Sequence, residues 1–296
     1  MLTLSMFSIP VVNFSTLHHF TLKLLTIRSF VLISFILIPF ISGAQCFKGN
    51  TAVGPGEYLS YDVSYQVGPV WTNIALVTLS AVKEMQGTKE VLHMKLNART
   101  YPTYDHLFKV RDSYESWVTL QTWQPVKFQR YTVHDENTVL LTQYFYPAQS
   151  MFYYNYKLNN EPVDKGQGNI GQCMSDMVCS LYYPRTLEVE NLRPGTPIPI
   201  SVLYNNDPTA LKLVSQGKGI IETRDGKRYH CSKFVVKMNS TVSMFKENSD
   251  MIVWFTADKN KVPVYVEAQL KVGTVKIYLK ESKGLLNPMT AWLNKP

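Results

Sequence analysis

The sequence lacks the residue patterns of a catalytic or metal-binding site. Its six histidines are scattered, and no CxxC or HxxxH spacing occurs. A structural zinc site needs closely spaced cysteine and histidine ligands, so neither a metal nor a cofactor is predicted. No Ser–His–Asp order can be assigned from spacing, and no glycine-rich phosphate loop is present. An enzyme is therefore the least favoured class of protein, and a hydrolase is the one kind of enzyme considered.

Charge of one sign is not concentrated anywhere along the chain. The formal net charge is +8 at pH 7, but basic and acidic residues are interspersed and no stripe of Lys and Arg occurs. Recognition of nucleic acid requires a clustered basic surface. The composition thus predicts a solvated, cationic surface and no nucleic-acid partner.

Long apolar runs are also scarce, and the one at the N-terminus is short. Phe30–Ala44 contains 15 uncharged residues, follows Lys23 and Arg28, and is interrupted by Pro39. A membrane-spanning helix needs about 20 apolar residues. The run ends in Ser-Gly-Ala, which is typical of a secretory signal cleaved before Gln45. We expect residues 1–44 to be a leader and signal peptide and residues 45–296 to be one exported domain, which is not an integral membrane protein once the signal is removed. A retained anchor is the alternative.

What the chain has in abundance is strand pattern, from Gly56 onward. In Val91–Ala98, for example, apolar and polar residues alternate cleanly, as on a strand with one buried face. Roughly a dozen such runs follow one another at about ten-residue spacing, separated by turn residues, and only Ile170–Thr186 has helical spacing. A sheet of this size must fold over to hide its edges. The expected fold is mainly β: a large antiparallel meander curved into a half-barrel or clam-like barrel, with one short helix packed on its concave side.

Several motifs resemble those of one bacterial family, and they occur in the same order along the chain. They are Gly56-Glu57-Tyr58-Leu59-Ser60-Tyr61, Phe108–Ser116, Pro125–Arg130, Cys173, Asp176, Tyr182-Tyr183-Pro184-Arg185, Gly195, Trp254, Asp258, Pro263 and Gly273. The family is the bacterial domain-of-unknown-function family 3108, and the resemblance covers about Gly56 to Leu285. It implies an exported protein of the Gram-negative envelope, in the periplasm, with an antiparallel β domain. It implies no activity.

The four cysteines are Cys46, Cys173, Cys179 and Cys231. Lipidation of Cys46 is disfavoured because the preceding residue is Gln45 and not a small one. An exported chain can oxidise its cysteines, and four allow three complete pairings. We expect a Cys173–Cys231 disulfide from the start of the helix to a strand, with Cys179 free and buried. The alternative is four reduced cysteines.

Five residues are predicted to have architectural roles. Asp176 can cap the start of the helix, and Trp254 lies on a strand with two largely apolar faces. Asp258 can fix the turn after that strand, Pro263 opens the next strand, and Gly273 supplies a positive φ in the following turn.

A run of aromatic residues provides weak candidates for ligand binding. By alternation, five of them have the same parity on two adjacent predicted strands: Tyr144, Tyr146, Phe152, Tyr154 and Tyr156. A row of rings on one face could line a lipid pocket or stack on a sugar. Ordinary cross-strand packing is the more common use of such residues.

Two functional hypotheses follow from the sequence. The first is a non-enzymatic envelope protein that binds or carries a hydrophobic or glycan ligand in a curved sheet. The second is a structural or interaction module of an envelope assembly without a ligand cavity. The candidate partners are a lipid, a glycan or another envelope protein. A continuous apolar cavity of several hundred Å³ between sheet and helix would favour the first.

Overall fold

One large β-sheet dominates the computed structural model, which describes residues 49–67, 69–171, 173–189, 192–238 and 249–293. The first eight strands are β1 (Tyr58–Val67), β2 (Val70–Gln86), β3 (Lys89–Thr100), β4 (Val110–Thr119), β5 (Pro125–His134), β6 (Asn137–Tyr146), β7 (Met151–Leu158) and β8 (Asp164–Asn169). The other seven are β9 (Met174–Ser175), β10 (Pro197–Tyr204), β11 (Asp207–Glu222), β12 (Arg228–Met238), β13 (Met251–Thr256), β14 (Pro263–Gln269) and β15 (Thr274–Lys283). The predicted leader, residues 1–44, lies outside the described residues, so it stays a prediction.

The strand order shows that the sheet is strongly curved. The order is β8-β7-β6-β5-β4-β3-β2-β1-β15-β14-β13-β12-β11-β10-β9, so the two edge strands are consecutive in the chain. A flat sheet of this width would separate its edges by roughly 65 Å. The link from Asn169 to Met174 can span at most about 18 Å. The sheet therefore curls until its edges approach each other, without closing, and the predicted mainly β, curved architecture is confirmed.

A short helix lies on the inner face of this sheet. Helix α1 (Met177–Tyr182) continues into a 3-10 turn at Tyr183–Thr186, inside the predicted helical segment. We call β1–β8 the first arm of the sheet and β9–β15 the second arm. The helix contacts β3 and β4 of the first arm and β10 of the second. The inner face carries most of the buried core, including Leu79, Met94 and Leu279. Among the described residues, no helix is long and apolar enough to cross a bilayer.

The two arms also meet through the turn between β10 and β11. Asn205 accepts a hydrogen bond from Arg130 at 2.6 Å, and Asn206 accepts one from Gln143 at 2.8 Å. Arg130 and Gln143 lie on β5 and β6, in the first arm of the sheet. These contacts hold the curved sheet folded over its inner face.

Three details of the strand prediction are wrong. The sequence pattern predicts separate strands at Ala210–Val214 and Gly219–Thr223, but the structure has the single strand β11, whose register shifts between Ser215 and Gly217. Strand β8 was missed because it is polar and glycine-rich. Both of its glycines are required there, because a larger side chain would collide with β7. A Cβ at Gly166 or Gly168 would lie 2.5 Å from an aromatic ring of β7. Strand β9 was also missed, and it pairs with β10 in parallel.

The predicted Cys173–Cys231 disulfide is also wrong. Cys231 is free and buried on β12, three strands away from β9, which Cys173 precedes. That separation is about 14 Å along a sheet, whereas disulfide-bonded Cα atoms lie within about 7 Å. Cys173 is disulfide-bonded, but Cys231 is not its partner. Cys179 is free and buried in α1, as expected.

Candidate functional site

An apolar cavity of about 480 Å³ lies between α1 and the inner face of the sheet. Its lining is contributed by α1, by the turn that follows it, and by most strands of the second arm together with β1, β2 and β3. The lining side chains are almost all aliphatic or aromatic; Val77, Leu96, Leu181, Ile200, Val236 and Val266 are examples. Pockets of this size and composition accommodate small hydrophobic molecules.

Burial of the cavity wall differs along β15, and we call its more buried end the closed end. Along β15, Val275 and Ile277 are half-buried, whereas Leu279, the next residue on the same face, is only 5% exposed. Leu270 lines the cavity beside Val275 and is also half-buried. We call the Leu270–Val275 side the mouth. Tyr61 pairs with Leu279 and therefore lies toward the closed end.

A buried ion pair stands at the closed end. The Arg185 guanidinium donates two hydrogen bonds to the Glu57 carboxylate, at 2.6 and 2.7 Å, and both side chains are at most 1% exposed. Arg185 also donates from Nε to the Asn260 carbonyl at 2.9 Å. Burial alone would lower the pKa of Arg185, but the hydrogen bonds and charge of Glu57 raise it above its ordinary value. Arg185 therefore keeps its positive charge, which the Glu57 carboxylate neutralises.

Two tyrosine hydroxyls lie close to this pair without a hydrogen-bond partner. Tyr61 and Tyr182 line the cavity, are 4% and 1% exposed, and their hydroxyl oxygens are unsatisfied among the described residues. The Arg185 guanidinium lies 5.4 Å from the Tyr182 ring centroid. Burial raises the pKa of both tyrosines well above the ordinary value of 10, so both remain protonated donors. We call Tyr61, Tyr182 and the ion pair the polar end of the cavity.

The polar end brings together two motifs that lie far apart in sequence. Glu57 and Tyr61 belong to the strand motif 56–61, whereas Tyr182 and Arg185 belong to the motif 182–185 after the helix. A comparison with protein families matches residues 60–280 to the family described as "Protein of unknown function (DUF3108)". The chain belongs to this family. The resemblance seen in the sequence is thereby confirmed.

Two solved structures resemble this chain at low sequence identity. A beta-barrel-like protein of the domain of unknown function DUF1849 from Brucella abortus matches with a TM-score of 0.48 and 7% identity, covering 79% of this chain and 98% of that one. A suspected lipoprotein from Parabacteroides distasonis matches with a TM-score of 0.27 and 8% identity, covering 80% and 98%. No curated protein matches the chain.

The aromatic residues that were candidates for ligand binding do not share a face. In the β6–β7 hairpin, Phe145 pairs with Phe152. Odd-numbered residues of β6 therefore share a face with even-numbered residues of β7. Tyr144 and Tyr146 are therefore on the outer face, 38% and 45% exposed, near Tyr153. Their predicted companions pack against the inner core instead: Phe152, Tyr154 and Tyr156. None of the five lines the cavity.

Asp258 has more partners than a simple turn residue. Its Oδ1 accepts hydrogen bonds from the Thr256 hydroxyl at 2.8 Å and from the backbone N–H groups of Asn260 and Lys261 at 3.0 and 3.2 Å. Its Oδ2 accepts two more from the backbone N–H groups of Thr290 and Ala291. Asp258 is only 5% exposed. This geometry supports the proposal that Asp258 is architectural, joining the β13–β14 turn to the C-terminal segment.

Asp176 is the helix cap that its position indicated. It accepts a hydrogen bond from the Cys179 N–H at 2.8 Å and another from the Ser116 hydroxyl of β4 at 2.5 Å. Burial raises the pKa of Asp176 to about 6, against the lowering effect of these hydrogen bonds. The cap thereby fastens α1 to the sheet that carries the cavity.

The other three residues proposed as architectural also lie in packed or turn positions. Trp254 is half-buried, with its ring over Gly219, where a Cβ would lie 2.8 Å from the indole. Pro263 begins β14 and lines the cavity. Gly273 has φ 78°, and a Cβ there would lie 2.3 Å from the Gln66 carbonyl oxygen. A non-glycine residue would not fit the β14–β15 turn.

Sequence reasoning missed the residues of the polar end as a site. The signal was present, because Glu57, Tyr61, Tyr182 and Arg185 all belong to motifs that carried the family resemblance. A glutamate at the start of a strand and an arginine after a helix have no local reason to be buried. Within the described residues, no group of three or more His, Cys, Asp and Glu could hold a metal ion.

Proposed function

We propose that this protein is a non-enzymatic binding protein of the bacterial cell envelope, which carries a hydrophobic ligand in the apolar cavity. The observation that carries the proposal is the cavity itself, about 480 Å³ between the helix and the curved sheet, with an almost wholly apolar lining. Proteins close-pack their interiors, so a space of this size without a ligand forfeits packing energy. A ligand chain would restore it.

The energetics favour binding of a flexible hydrocarbon chain. Each CH₂ group transferred from water to an apolar site contributes about 0.8 kcal/mol. Ten such groups contribute roughly 8 kcal/mol before the costs of association and chain ordering. The open mouth at Leu270 and Val275 gives the ligand a route into the cavity. Lipid is accordingly the favoured ligand class over glycan.

The chemistry of the polar end supports binding over catalysis. Tyr61 and Tyr182 are held protonated, so neither is a base or a nucleophile near neutral pH. Glu57 accepts two hydrogen bonds from Arg185, which occupies its oxygens. These groups can orient a ligand by hydrogen bonding, and the proposal assigns them no proton transfer.

Native mass spectrometry of the purified protein tests the proposal. We expect a co-purifying lipid, which is lost when Ala268 on the cavity wall is replaced by phenylalanine. Gln269→Phe is the matched control, because Gln269 is the next residue of β14, faces outward and is exposed. Thermal unfolding checks that both variants are folded. A protein free of lipid that also binds no added hydrocarbon probe would refute carriage and favour the alternative, an interaction module of an envelope assembly.

We also propose export to the envelope, from the signal-like order of residues 23–44. A disulfide at Cys173 supports this location, because disulfides persist in oxidising compartments. N-terminal sequencing of material from the periplasm should begin at or near Gln45. Recovery of intact Met1, or of protein only in the cytoplasm, would contradict export.

A further inference from the structure

We propose that the ligand is a single-chain amphiphile bound with its polar group innermost, and that Tyr61 and Tyr182 donate hydrogen bonds to an uncharged carbonyl on that group. This inference rests on the proposed function and specifies the ligand of the same cavity. It starts from the two hydroxyls at the polar end, which lack a partner among the described residues. Buried polar groups are nearly always hydrogen-bonded, so two unsatisfied donors at the end of one cavity require an explanation.

The direction of the ligand follows from the gradient of burial. The polar end is at most 4% exposed at Tyr61, Tyr182 and Arg185, whereas Val275 and Leu270 at the mouth are half-buried. From Val275 to Leu279 the strand covers about 13 Å, at roughly 3.3 Å per residue. An acceptor at the two hydroxyls therefore leaves room for an extended chain along β14 and β15 toward the mouth. A ligand with a large headgroup at the mouth would leave both hydroxyls unsatisfied.

The ion pair decides the charge of the ligand's polar group. Arg185 is neutralised by Glu57 through two short hydrogen bonds, and its Nε bonds with a backbone carbonyl. The polar end therefore has no free positive charge with which to compensate a carboxylate or phosphate. Burying an uncompensated anion is very costly, whereas a neutral carbonyl needs only a donor. An acyl ester or amide satisfies this condition, and an ionised fatty acid does not.

The binding test compares three probes of similar chain length: methyl dodecanoate, tridecane and dodecanoate at pH 8. Each is titrated against wild type, Tyr61→Phe, Tyr182→Phe and the double variant, by displacement of a polarity-sensitive apolar dye. Tyr153→Phe, on the outer face, is the matched control. We expect Tyr61→Phe and Tyr182→Phe each to lower the affinity for methyl dodecanoate by about threefold to tenfold, which is the value of one hydrogen bond. The affinity for tridecane should not change.

A second measurement observes the hydrogen bond directly. Infrared spectra of methyl dodecanoate with a ¹³C-labelled carbonyl should show the bound carbonyl band below its frequency in alkane solvent. The band should return toward the alkane value in the double variant. In the ligand-free protein, the phenylalanine variants should unfold at the same temperature as wild type or at a higher one, because each removes a buried, unsatisfied donor.

Each outcome has a distinct meaning. If tridecane and methyl dodecanoate bind equally well to all variants and the band is not shifted, the hydrogen-bonding inference is wrong while carriage stands. If dodecanoate binds more tightly than its methyl ester, the assignment of an uncharged group is wrong. If none of the probes displaces the dye from wild type, or the dye itself does not bind, carriage and this inference both fail.

Discussion

The buried Arg185–Glu57 pair gives the sharpest test of the structure. Replacing Arg185 with methionine removes both hydrogen bonds to Glu57 and leaves a carboxylate with 0% side-chain exposure facing the core. Breaking a buried pair by removing one partner costs about 3–5 kcal/mol, because the remaining charge is uncompensated. We therefore expect Arg185→Met to lower the free energy of unfolding by about 3–5 kcal/mol.

The double variant Glu57→Leu/Arg185→Met separates the cost of the unpaired charge from the value of the pair. With both charges removed, no buried ion is left without a partner, and similar replacements elsewhere have been neutral or stabilising. The double variant should therefore be more stable than Arg185→Met alone. The coupling energy from the four proteins should exceed about 2 kcal/mol in favour of the pair.

Urea unfolding followed by tryptophan fluorescence and circular dichroism provides these free energies. Lys83→Met is the control, because Lys83 pairs with Glu90 at 2.6 Å with about half of each side chain exposed. Exposed pairs contribute at most about 1 kcal/mol. If Arg185→Met costs no more than Lys83→Met, or if the two substitutions at the polar end are additive, the pair is not buried as described.

Three further substitutions have distinct expected outcomes in the same unfolding assay. Asp258→Ala should cost about 3 kcal/mol, because it leaves buried backbone donors without an acceptor; a loss below about 1 kcal/mol would contradict the network. Gly273→Ala should cost about 1–3 kcal/mol more than Gly87→Ala, since both have positive φ but only Gly273 faces a nearby carbonyl oxygen; equal losses would contradict the packing. Asp176 has a pKa of about 6 in the folded protein, against an ordinary value of 3.8, so the folded state binds its proton more tightly. The stability of wild type relative to Asp176→Asn should thus be greatest below about pH 4 and fall by about 3 kcal/mol as the pH rises to above 6; a constant difference would show that burial does not raise this pKa.

Local pattern was sufficient for most of the secondary structure. The apolar run Met251–Thr256, which turn residues follow, predicts a strand of that length, and β13 has the same bounds. The alternation in Val91–Ala98 also identified Leu92 and Met94 as buried, since successive strand residues face opposite sides. Asp176 was identified as a cap from its place just before an apolar helical run. These features depend on neighbours within a few residues, and the sequence displays such neighbours directly.

Only the tertiary structure decided where the site lies. Glu57 and Arg185 are separated by 128 positions, and nothing in the spacing of either motif indicates that they bind each other. The five aromatic candidates do not share one face, because the faces on either side of the β6–β7 turn depend on the hairpin register, which is a property of the pairing and not of one strand. The disulfide was wrong because β12 and β9 lie three strands apart in a sheet order that the sequence does not display. The cavity exists because a sheet of 15 strands curls around one short helix, and the space left between them is set by long-range packing.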